Sequence, residues 1–346
     1  MARRAVAGSR SAERCASPMA GDRGLDWCRT TWSPISAFWL HSFITAGPTA
    51  IHRLPAGRYG SLVVHYNICI ARPEGYAHSG AFTELAEVIA YGLEDLGHGV
   101  SFSENNMMAG ARNIVIGCHL ADPGATGHVP NDTIIVNTEQ LHVDEQPWNQ
   151  NIYRWTARYE TWDYSKRNIA KLRHLGIGHA RYLKLGFHPK LRRVAHDVEQ
   201  DIDVLFYGTI GPRRAAILDA LRARGLTVGV VSGVYGQARD AYVARAKVVL
   251  NLHHYASHIF EIVRVFYLMT NGKAVVGEVS PTTAVDDDYA GGFHATSYDG
   301  LVDACVELVR NTSRRRLLEA EALRTIRRHS QARALAPLLR PEPTAA

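Results

Sequence analysis

The chain has 346 residues, of which 46% are hydrophobic and 21% are charged, a composition typical of a soluble globular protein long enough for two domains. The formal net charge of +6 comes from the two ends: residues 1–60 carry eight Lys and Arg against three Asp and Glu, and residues 310–346 carry nine against three. Since no basic stripe runs through the middle, we expect no nucleic-acid partner. The basic ends are compatible with weak peripheral contact with an acidic membrane.

Targeting and redox signals point to an ordinary cytoplasmic protein. Five scattered cysteines without a CxxC pair favour a reducing compartment and predict neither a disulfide framework nor a structural zinc site. The most apolar stretch (35–51) falls short of the roughly 20 residues that cross a bilayer and starts too late for a signal peptide. Residues 1–60, rich in Arg, Ser, Ala and Gly, are predicted to be a poorly ordered basic extension.

Residues 61–185 are predicted to form a first Rossmann-like domain. Its first strand (63–71) leads through a polar loop into a helix over 82–98, whose aliphatic residues recur at helical spacing. The other predicted elements are strands at 100–102, 113–118, 133–138 and 180–189 and helices at 148–164 and 165–175. This alternation of strands and helices is typical of a parallel sheet.

Two loops of this first half supply candidate site residues. Ligands of open α/β sheets bind outside the carboxyl ends of the strands, where His78, Ser79 and Gly80 follow the first strand and Glu139 follows 133–138. We interpret these residues as facing a cleft, with His78 a candidate base and Glu139 a similar candidate. The alternative is that they are ordinary core or surface residues.

Residues 186–335 are predicted to form a second Rossmann-like domain, followed by a tail at 336–346. The predicted strands are 202–208, 227–236, 247–254 and 272–278, and the later predicted helices are 298–310 and 313–334. Consecutive βαβ units place such strands parallel, with their loops on one edge of the sheet. These loops are therefore predicted to form a ligand site.

The turn after 202–208 has the features of an anion site. Gly208, Thr209 and Gly211 stand between a strand and a helix, where glycines let the backbone approach a ligand and free N–H groups favour negative charge. Arg213 and Arg214 follow at once, and guanidinium groups suit phosphate oxygens. The alternative is an ordinary turn with two solvated arginines.

Polar residues also follow the strand at 247–254. Asn251, His253, His254, Tyr255 and His258 are candidates for hydrogen bonds to a nucleotide or a sugar. A zinc site is disfavoured, because His253 and His254 alternate across a strand and no carboxylate or thiol completes a familiar ligand set. A plain surface loop is the remaining alternative.

Glu261 and Arg264 lie three residues apart at a predicted helix start and are expected to share a face. Glu261 is then placed to accept sugar or ribose hydroxyls, while Arg264 pairs with Glu261 or reaches a phosphate. A surface ion pair is the alternative. The aspartates at 286–288 look like a metal-binding DxD, but we interpret them as a solvated acidic loop and predict no metal site.

Several of these segments together resemble a known family. The segments DVLFYGTIGPRR, VYG, AKVVLNLHH, FEIVR and GKAVVGE resemble the C-terminal domain of GT-B glycosyltransferases, in the group that includes CgeB-like and "glycosyl transferases group 1" proteins. NTEQL (137–141) and YETWDYSKRNI (159–169) are similar to the N-terminal half of that group. The resemblance, over about 64–330, implies an α/β protein with two Rossmann-like domains facing an interdomain cleft. It also implies a nucleotide-sugar donor held mainly by the second domain, with no required metal and no cofactor.

The resemblance also assigns roles to single residues. Gly208, Thr209, Gly211, Arg213 and Arg214 correspond to donor-phosphate contacts, and Glu261 corresponds to the glutamate that contacts donor sugar or ribose. There are two departures. Met269 stands where retaining members have a second glutamate, and Ala215 follows Arg214 where a Lys-Gly is usual. The stereochemistry of transfer is therefore left open.

The sequence thus predicts a metal-independent glycosyltransferase acting on a nucleotide-diphosphate sugar and a hydroxyl acceptor (a glycan, a lipid-linked sugar or a small molecule). The predicted catalytic residues are Glu261, Arg213 and His78. Donor-binding predictions are Gly208, Thr209, Gly211, Arg214, Asn251, His253 and Arg264, and acceptor-side predictions are Ser79, Gly80 and Glu139. Two alternatives stay open: a sugar-nucleotide epimerase of the same fold and a non-catalytic nucleotide-sugar-binding protein.

Overall fold

A computed structural model describes residues 63–141, 148–254 and 259–340. The predicted basic extension (1–60), the end of the predicted tail (341–346) and the candidates Tyr255 and His258 lie outside the described residues. Within them the chain forms two parallel sheets, one from each predicted domain.

The first sheet has six strands in the order β2-β1-β3-β4-β5-β6. Its elements are β1 (His65–Ile70), α1 (Thr83–Asp95), β2 (Gly99–Glu104), β3 (Arg112–Ile116), β4 (Ile134–Asn137), α2 (Asn149–Arg158), β5 (Glu160–Asp163), α3 (Lys166–His174) and β6 (Ala180–Tyr182). All four residues of β4 are buried, as expected for a parallel strand covered by helices on both faces. The helix predicted over 148–164 ends at Arg158, because β5 pairs with β4 immediately afterwards.

The second sheet has five strands in the order β11-β10-β9-β7-β8. Its elements are β7 (Ile202–Tyr207), α4 (Pro212–Ala223), β8 (Val228–Val231), α5 (Gly236–Arg245), β9 (Ala246–Asn251), α6 (Ile262–Thr270), β10 (Ala274–Glu278), β11 (His294–Thr296), α7 (Leu301–Arg310), α8 (Thr312–Arg327) and α9 (Gln331–Leu335). Among the described helices, none combines the length and the apolar character that a bilayer span requires.

In each sheet the strand order changes direction once. The loops that follow the strands on either side of that point diverge from each other. β1 pairs with β2 on one side and β3 on the other, and β7 likewise pairs with β8 and β9. At such a switch point the two loops leave in opposite directions and open a crevice at the carboxyl edge. The crevices therefore lie between the loops after β1 and β3, and between those after β7 and β9.

The end of the chain returns to the first half. Helix α9 packs on α1, where a Cβ added to Gly92 would lie 2.7 Å from atoms of both Gln331 and Leu335. Leu338, at the start of the predicted tail, is buried, and its carbonyl accepts a hydrogen bond from Arg181 Nη1 at 2.7 Å. The tail therefore begins as part of the folded structure.

The aspartate run also joins the two halves. Asp286 Oδ2 accepts a hydrogen bond from the Tyr182 hydroxyl at 2.9 Å and lies 3.3 Å from Lys166 Nζ. Its other oxygen accepts from the backbone N–H of Asp288 at 3.2 Å. The interpretation of this run as a solvated loop is therefore wrong for Asp286, whose side chain is largely buried against the first half.

A buried charge cluster holds α1 against α5 and α6. Arg239 Nη2 lies 2.8 Å from Glu84 Oε1 and 2.7 Å from Asp240 Oδ1. Asp240 also accepts a hydrogen bond from the Tyr267 hydroxyl at 2.6 Å, and Arg193 Nη2 lies 3.2 Å from Glu84. Buried ions persist only when paired, so this cluster fixes how the two halves meet.

Candidate functional site

The carboxyl edges of the two sheets face each other, as two contacts between the halves show. The Tyr235 hydroxyl, before α5, lies 2.6 Å from His78 Nδ1 in the loop after β1. Gln140 Nε2, after β4, donates to Glu261 Oε1 at 3.3 Å. The predicted donor and acceptor residues therefore lie on opposite sides of one crevice.

Gly208 begins the turn after β7 in a conformation that only glycine adopts readily. Its φ is +134°, and an added Cβ would lie 3.2 Å from Arg264 Nη2 and 3.8 Å from Arg214 Nη1. The missing side chain thus leaves room for two guanidinium groups beside the turn. Gly211 is the N-cap of α4. The unpaired backbone N–H groups of the first turn of this helix therefore lie next to the Gly208 turn.

The resemblance seen in the sequence implies a nucleotide-sugar donor at this turn, so we expect Gly208→Ala to weaken nucleoside-diphosphate binding by at least tenfold, because the new methyl group would strain the backbone and displace Arg264. Titration calorimetry with UDP, GDP and dTDP measures the change. Gly225→Ala is the control, since Gly225 also has a positive φ but has no atom within 4 Å of an added Cβ. Equal losses of affinity in both variants would mean that backbone strain causes the loss and that the displacement of Arg264 does not.

Arg214 is almost fully buried and holds the turn in place. It donates to the carbonyls of Thr209 and Leu252, each at 2.7 Å, and so links the loops after β7 and β9. Its Nη2 lies 3.7 Å from Glu261 Oε1. The carbonyl of Thr209 thus accepts a hydrogen bond from Arg214, while Thr209 as a whole is exposed.

Arg264 lies beside the same turn, since a Cβ added to Gly208 would be 3.2 Å from its Nη2. It donates to Asn251 Oδ1 at 2.7 Å and to the Tyr207 carbonyl at 3.1 Å. Arg264 Nε and Asn251 Nδ2 are buried and have no hydrogen-bond partner among the described residues. Both of these hydrogen-bond partners of Arg264 are neutral.

The predicted ion pair between Glu261 and Arg264 is not formed. Helix α6 begins at Ile262, so Glu261 is its N-cap and lies outside the helical spacing. The side chain of Glu261 instead approaches Arg214 and Gln140. Of the two predicted roles of Arg264, the pair with Glu261 is wrong, and contact with a ligand phosphate stays a prediction.

Arg213 is paired within the protein. Both of its terminal nitrogens bind the carboxylate of Glu278, one of them at 2.7 Å, and its guanidinium stacks on the Tyr298 ring at 3.9 Å. Burial opposes ionisation of Glu278, but hydrogen bonds from Arg213 and from the backbone of His253 hold its pKa below the usual value. Any phosphate bound by Arg213 would share it with Glu278.

Two other donor-side candidates are fully enclosed. Asn251 is buried at the end of β9. His253 is 2% exposed, and its Nε2 lies 3.2 Å from the Thr283 hydroxyl. His253 therefore contributes to the shape of the loop, and its backbone N–H, at 3.0 Å, helps to hold Glu278.

The loop after β1 places its three candidates differently. His78 contacts Tyr235, and Gly80 lies under the same ring, since an added Cβ would be 2.8 Å from Tyr235 Cδ2. Ser79 is fully buried, and its hydroxyl donates to the Ala71 carbonyl at 2.8 Å. Tyr235, which sequence reasoning missed, is thus a residue of the second half that meets this loop.

Glu139 is held at the carboxyl end of β4. Its backbone carbonyl accepts hydrogen bonds from Asn137 at 2.9 Å and Asn168 at 2.8 Å. Its Oε1 lies 3.3 Å from His119 Nε2, after β3. Burial, with the charge of Glu261 as a second cause, raises the pKa of Glu139 to about 8, and burial lowers the pKa of His119 to about 4.

Sequence reasoning missed His119 and Glu278, although both carry a positional signal. His119 follows a buried strand and Gly117, at the switch point of the first sheet, and Glu278 is the last residue of β10. A polar residue at the end of a buried parallel strand is the same pattern that identified Asn251 and Glu139 as candidates in the sequence. Across the described ranges, no three His, Cys, Asp or Glu side chains are grouped to hold a metal ion.

No protein-family model matches the chain. Two uncharacterized proteins of Acanthamoeba polyphaga mimivirus are similar to it. Protein L140 is 28% identical over 200 residues, 56% of this chain and 64% of the relative. Protein L137 is 26% identical over 167 residues, 47% of this chain and 22% of the relative. The chain therefore spans less than two thirds of the length of these relatives.

Solved structures identify the architecture. Anabaena HepE in complex with UDP and glucose superposes with a TM-score of 0.51 at 12% identity, covering 79% of this chain and 99% of HepE. AviGT4, a glycosyltransferase of avilamycin A biosynthesis, gives 0.50 at 17% identity, with 80% and 96% covered. WaaG, a glycosyltransferase of lipopolysaccharide biosynthesis, gives 0.50 at 10% identity, with 77% and 96% covered. The chain has the GT-B fold. The predicted pair of Rossmann-like domains is confirmed.

Proposed function

We propose that the chain is a glycosyltransferase that moves a sugar from a nucleoside-diphosphate donor to a hydroxyl acceptor. The observation that carries this proposal is Arg264, which lies beside Gly208 at the switch point of the second sheet with only neutral partners among the described residues. A diphosphate is expected to bind where the N-terminus of a helix and guanidinium groups lie close together. A similar structure, HepE, holds UDP and glucose, which supports a sugar nucleotide as the donor.

The chemistry that the crevice supports is stabilisation of a leaving diphosphate. As the bond between the anomeric carbon and the diphosphate breaks, negative charge grows on the phosphate oxygens. Arg264, Arg214 and the first amide groups of α4 are fixed in position before the reaction, so they stabilise this charge without reorganising. Glu261, which is about a quarter exposed, orients the sugar through its hydroxyl groups.

The first sheet supplies the acceptor side of the proposed site. His78, Gly80 and Glu139 lie across the crevice from Glu261. Metal independence, the absence of a cofactor and a cytoplasmic location stay predictions from the sequence. The group to which CgeB-like proteins belong likewise stays a resemblance.

A panel of UDP-, GDP- and dTDP-sugars distinguishes the proposed function from its two alternatives. Thermal stability measures binding, and enzyme-coupled assays measure nucleotide release with cell-extract glycans and lipids as acceptors. Release that depends on acceptor supports transfer. Interconversion of the free sugar nucleotides would support an epimerase, and stabilisation without release would support a binding protein.

We expect Glu261→Gln to lower the turnover of the donor found in this panel at least tenfold, because the amide accepts fewer hydrogen bonds from sugar hydroxyls than a carboxylate does. The melting temperature should stay within a few degrees of the wild type. Glu199→Gln is the control, since Glu199 is exposed in the linker before β7. Turnover of the Glu261 variant equal to that of the control would remove Glu261 from the site.

A further inference from the structure

The switch point of the first sheet holds a pair of ionisable groups that faces the donor side. His119 lies in the turn after β3 and Glu139 lies after the neighbouring β4. Their side chains meet at 3.3 Å, with His119 8% exposed and the side chain of Glu139 23% exposed. Glu139 thus reaches the crevice, while His119 lies behind it.

His119 is fixed on its other sides. Its ring is perpendicular to that of Phe82, with centroids 6.0 Å apart, and its Nδ1 is buried without a hydrogen-bond partner among the described residues. A proton on Nδ1 would therefore be an unsatisfied buried donor, which is costly. The favoured proton position is Nε2, from which His119 donates to Glu139 Oε1.

The backbone around Glu139 is equally constrained. The carbonyl of Glu139 accepts hydrogen bonds from two asparagines, Asn137 and Asn168, both of which also donate to the buried carboxyl group of Asp163 at 2.7 and 3.0 Å. With Oε1 engaged by His119, Oε2 is the oxygen left to the crevice. Such support of a functional side chain by a second layer of hydrogen bonds is how enzymes fix a reacting group.

We propose that Glu139 is the base that accepts the proton of the acceptor hydroxyl, that His119 positions it, and that transfer consequently inverts the anomeric centre. This inference rests on the proposed glycosyl transfer. It assigns the proton acceptor to the first half, while the arginines that hold the leaving group belong to the second. In the proposed step the acceptor oxygen attacks from the first half as the diphosphate leaves toward the second, so transfer is a single direct displacement.

The proposed step balances without any further reactant. The acceptor oxygen forms its bond to the anomeric carbon as the bond from that carbon to the diphosphate oxygen breaks. The electron pair of the broken bond leaves on the diphosphate, beside Arg264 and Arg214. The acceptor proton moves to Glu139 Oε2 and is lost to solvent after the product leaves.

The surroundings of Glu139 set the pH dependence. The ionisable groups that face it are Tyr76 after β1, Cys118 and His119 after β3, Asp163 and Tyr164 at the end of β5, and Glu261 before α6. None of these is a cation at neutral pH, since burial keeps His119 uncharged. A base must be ionised to act, so kcat/KM should rise with pH and level off above about 8.

The first test is a pH profile of the wild type and of four variants, with the donor identified in the sugar-nucleotide panel. Glu139→Gln should lower kcat at least a hundredfold and remove the limb of the pH profile near pH 8, over which kcat/KM of the wild type rises. His119→Leu should lower kcat about tenfold and move the limb to higher pH, because it removes the donor to the ionised carboxylate. His119→Gln, which keeps an N–H, should restore most of the activity, and Glu104→Gln, an exposed carboxylate at the end of β2, should behave as wild type.

The second test uses azide as the probe. Azide is already an anion and needs no base, so Glu139→Ala with sodium azide should yield a glycosyl azide whose anomeric configuration, read by NMR, is inverted relative to the donor. Sodium chloride at equal concentration is the control. Retention of configuration in the wild-type product, a Glu139→Gln rate within threefold of wild type, or no glycosyl azide would each overturn the inference. A wild-type chain that releases no nucleotide from any donor would overturn the proposed function itself, and the inference with it.

Discussion

Replacing Arg264 with methionine is expected to weaken the binding of nucleoside diphosphates by at least a hundredfold. Charge-assisted hydrogen bonds contribute about 1.5–3 kcal/mol each when shielded from water, and a bidentate phosphate contact would lose two of them. Arg264 is the site cation whose partners, Asn251 and the Tyr207 carbonyl, are neutral. Titration calorimetry with UDP, GDP and dTDP measures the change in affinity.

Three further variants make this prediction specific. Arg264→Lys should lose about tenfold, because an ammonium keeps the charge but lacks the planar fork. Arg213→Lys should have a smaller effect than Arg264→Met, since Arg213 is already neutralised by Glu278. Arg222→Met, an exposed residue of α4 paired with Asp219, should bind as wild type. Affinity of Arg264→Met within threefold of wild type would show that the diphosphate does not bind beside Gly208.

Local sequence pattern predicted the fold well wherever a strand was long and apolar. The run at 202–208 became β7 (Ile202–Tyr207), and the helix predicted over 82–98 became α1 (Thr83–Asp95). β5 was missed because its four residues lie in an aromatic stretch that also suits a helix. Its identity is set by register with β4, where Val136 lies beside Trp162, and such non-local pairing leaves little local signal.

The sequence indicated the positions of the candidate site residues better than it indicated their ion-pair and hydrogen-bond partners. Gly208, Glu139 and His78 lie in loops at strand ends, and Arg264 lies in the first turn of the helix after such a loop, because parallel strands share a carboxyl edge. The partners depended on details that spacing does not encode. Helix α6 starts one residue after Glu261, so the expected i,i+3 pair never forms, and Arg213 finds Glu278, which lies 65 residues away in sequence.

The pairing of Arg213 with Glu278 also changes how the second domain is interpreted. A buried carboxylate at the end of β10 would repel a diphosphate if it stood alone. Bound to Arg213, it becomes part of the wall and orders the loop after β9 through the His253 N–H. The cations left for a diphosphate are therefore Arg264 and Arg214, rather than Arg213, the arginine first singled out from the sequence.

Arg239→Met is expected to destabilise the protein by about 3–5 kcal/mol, the usual cost of removing one partner from a buried ion pair. The variant leaves Glu84 and Asp240, which are 2% and 7% exposed, with Arg193 as their remaining cation at 3.2 and 3.6 Å. Urea unfolding followed by circular dichroism measures the free energy of unfolding. Arg245→Met on the same helix should leave the free energy of unfolding close to that of the wild type, since its pair with Asp201 is exposed.

A second substitution separates the charge from the packing of Arg239. In Arg239→Met/Glu84→Gln one stranded carboxylate is neutral, so the double variant should regain part of the lost stability although it has one more mutation. Arg239 also stacks on the Tyr267 ring at 4.6 Å, and the methionine retains some of that apolar contact. If the double variant is less stable than Arg239→Met by the full cost of a second lesion, the cluster stabilises the contact between α1 and α5 through packing, and its charges are incidental.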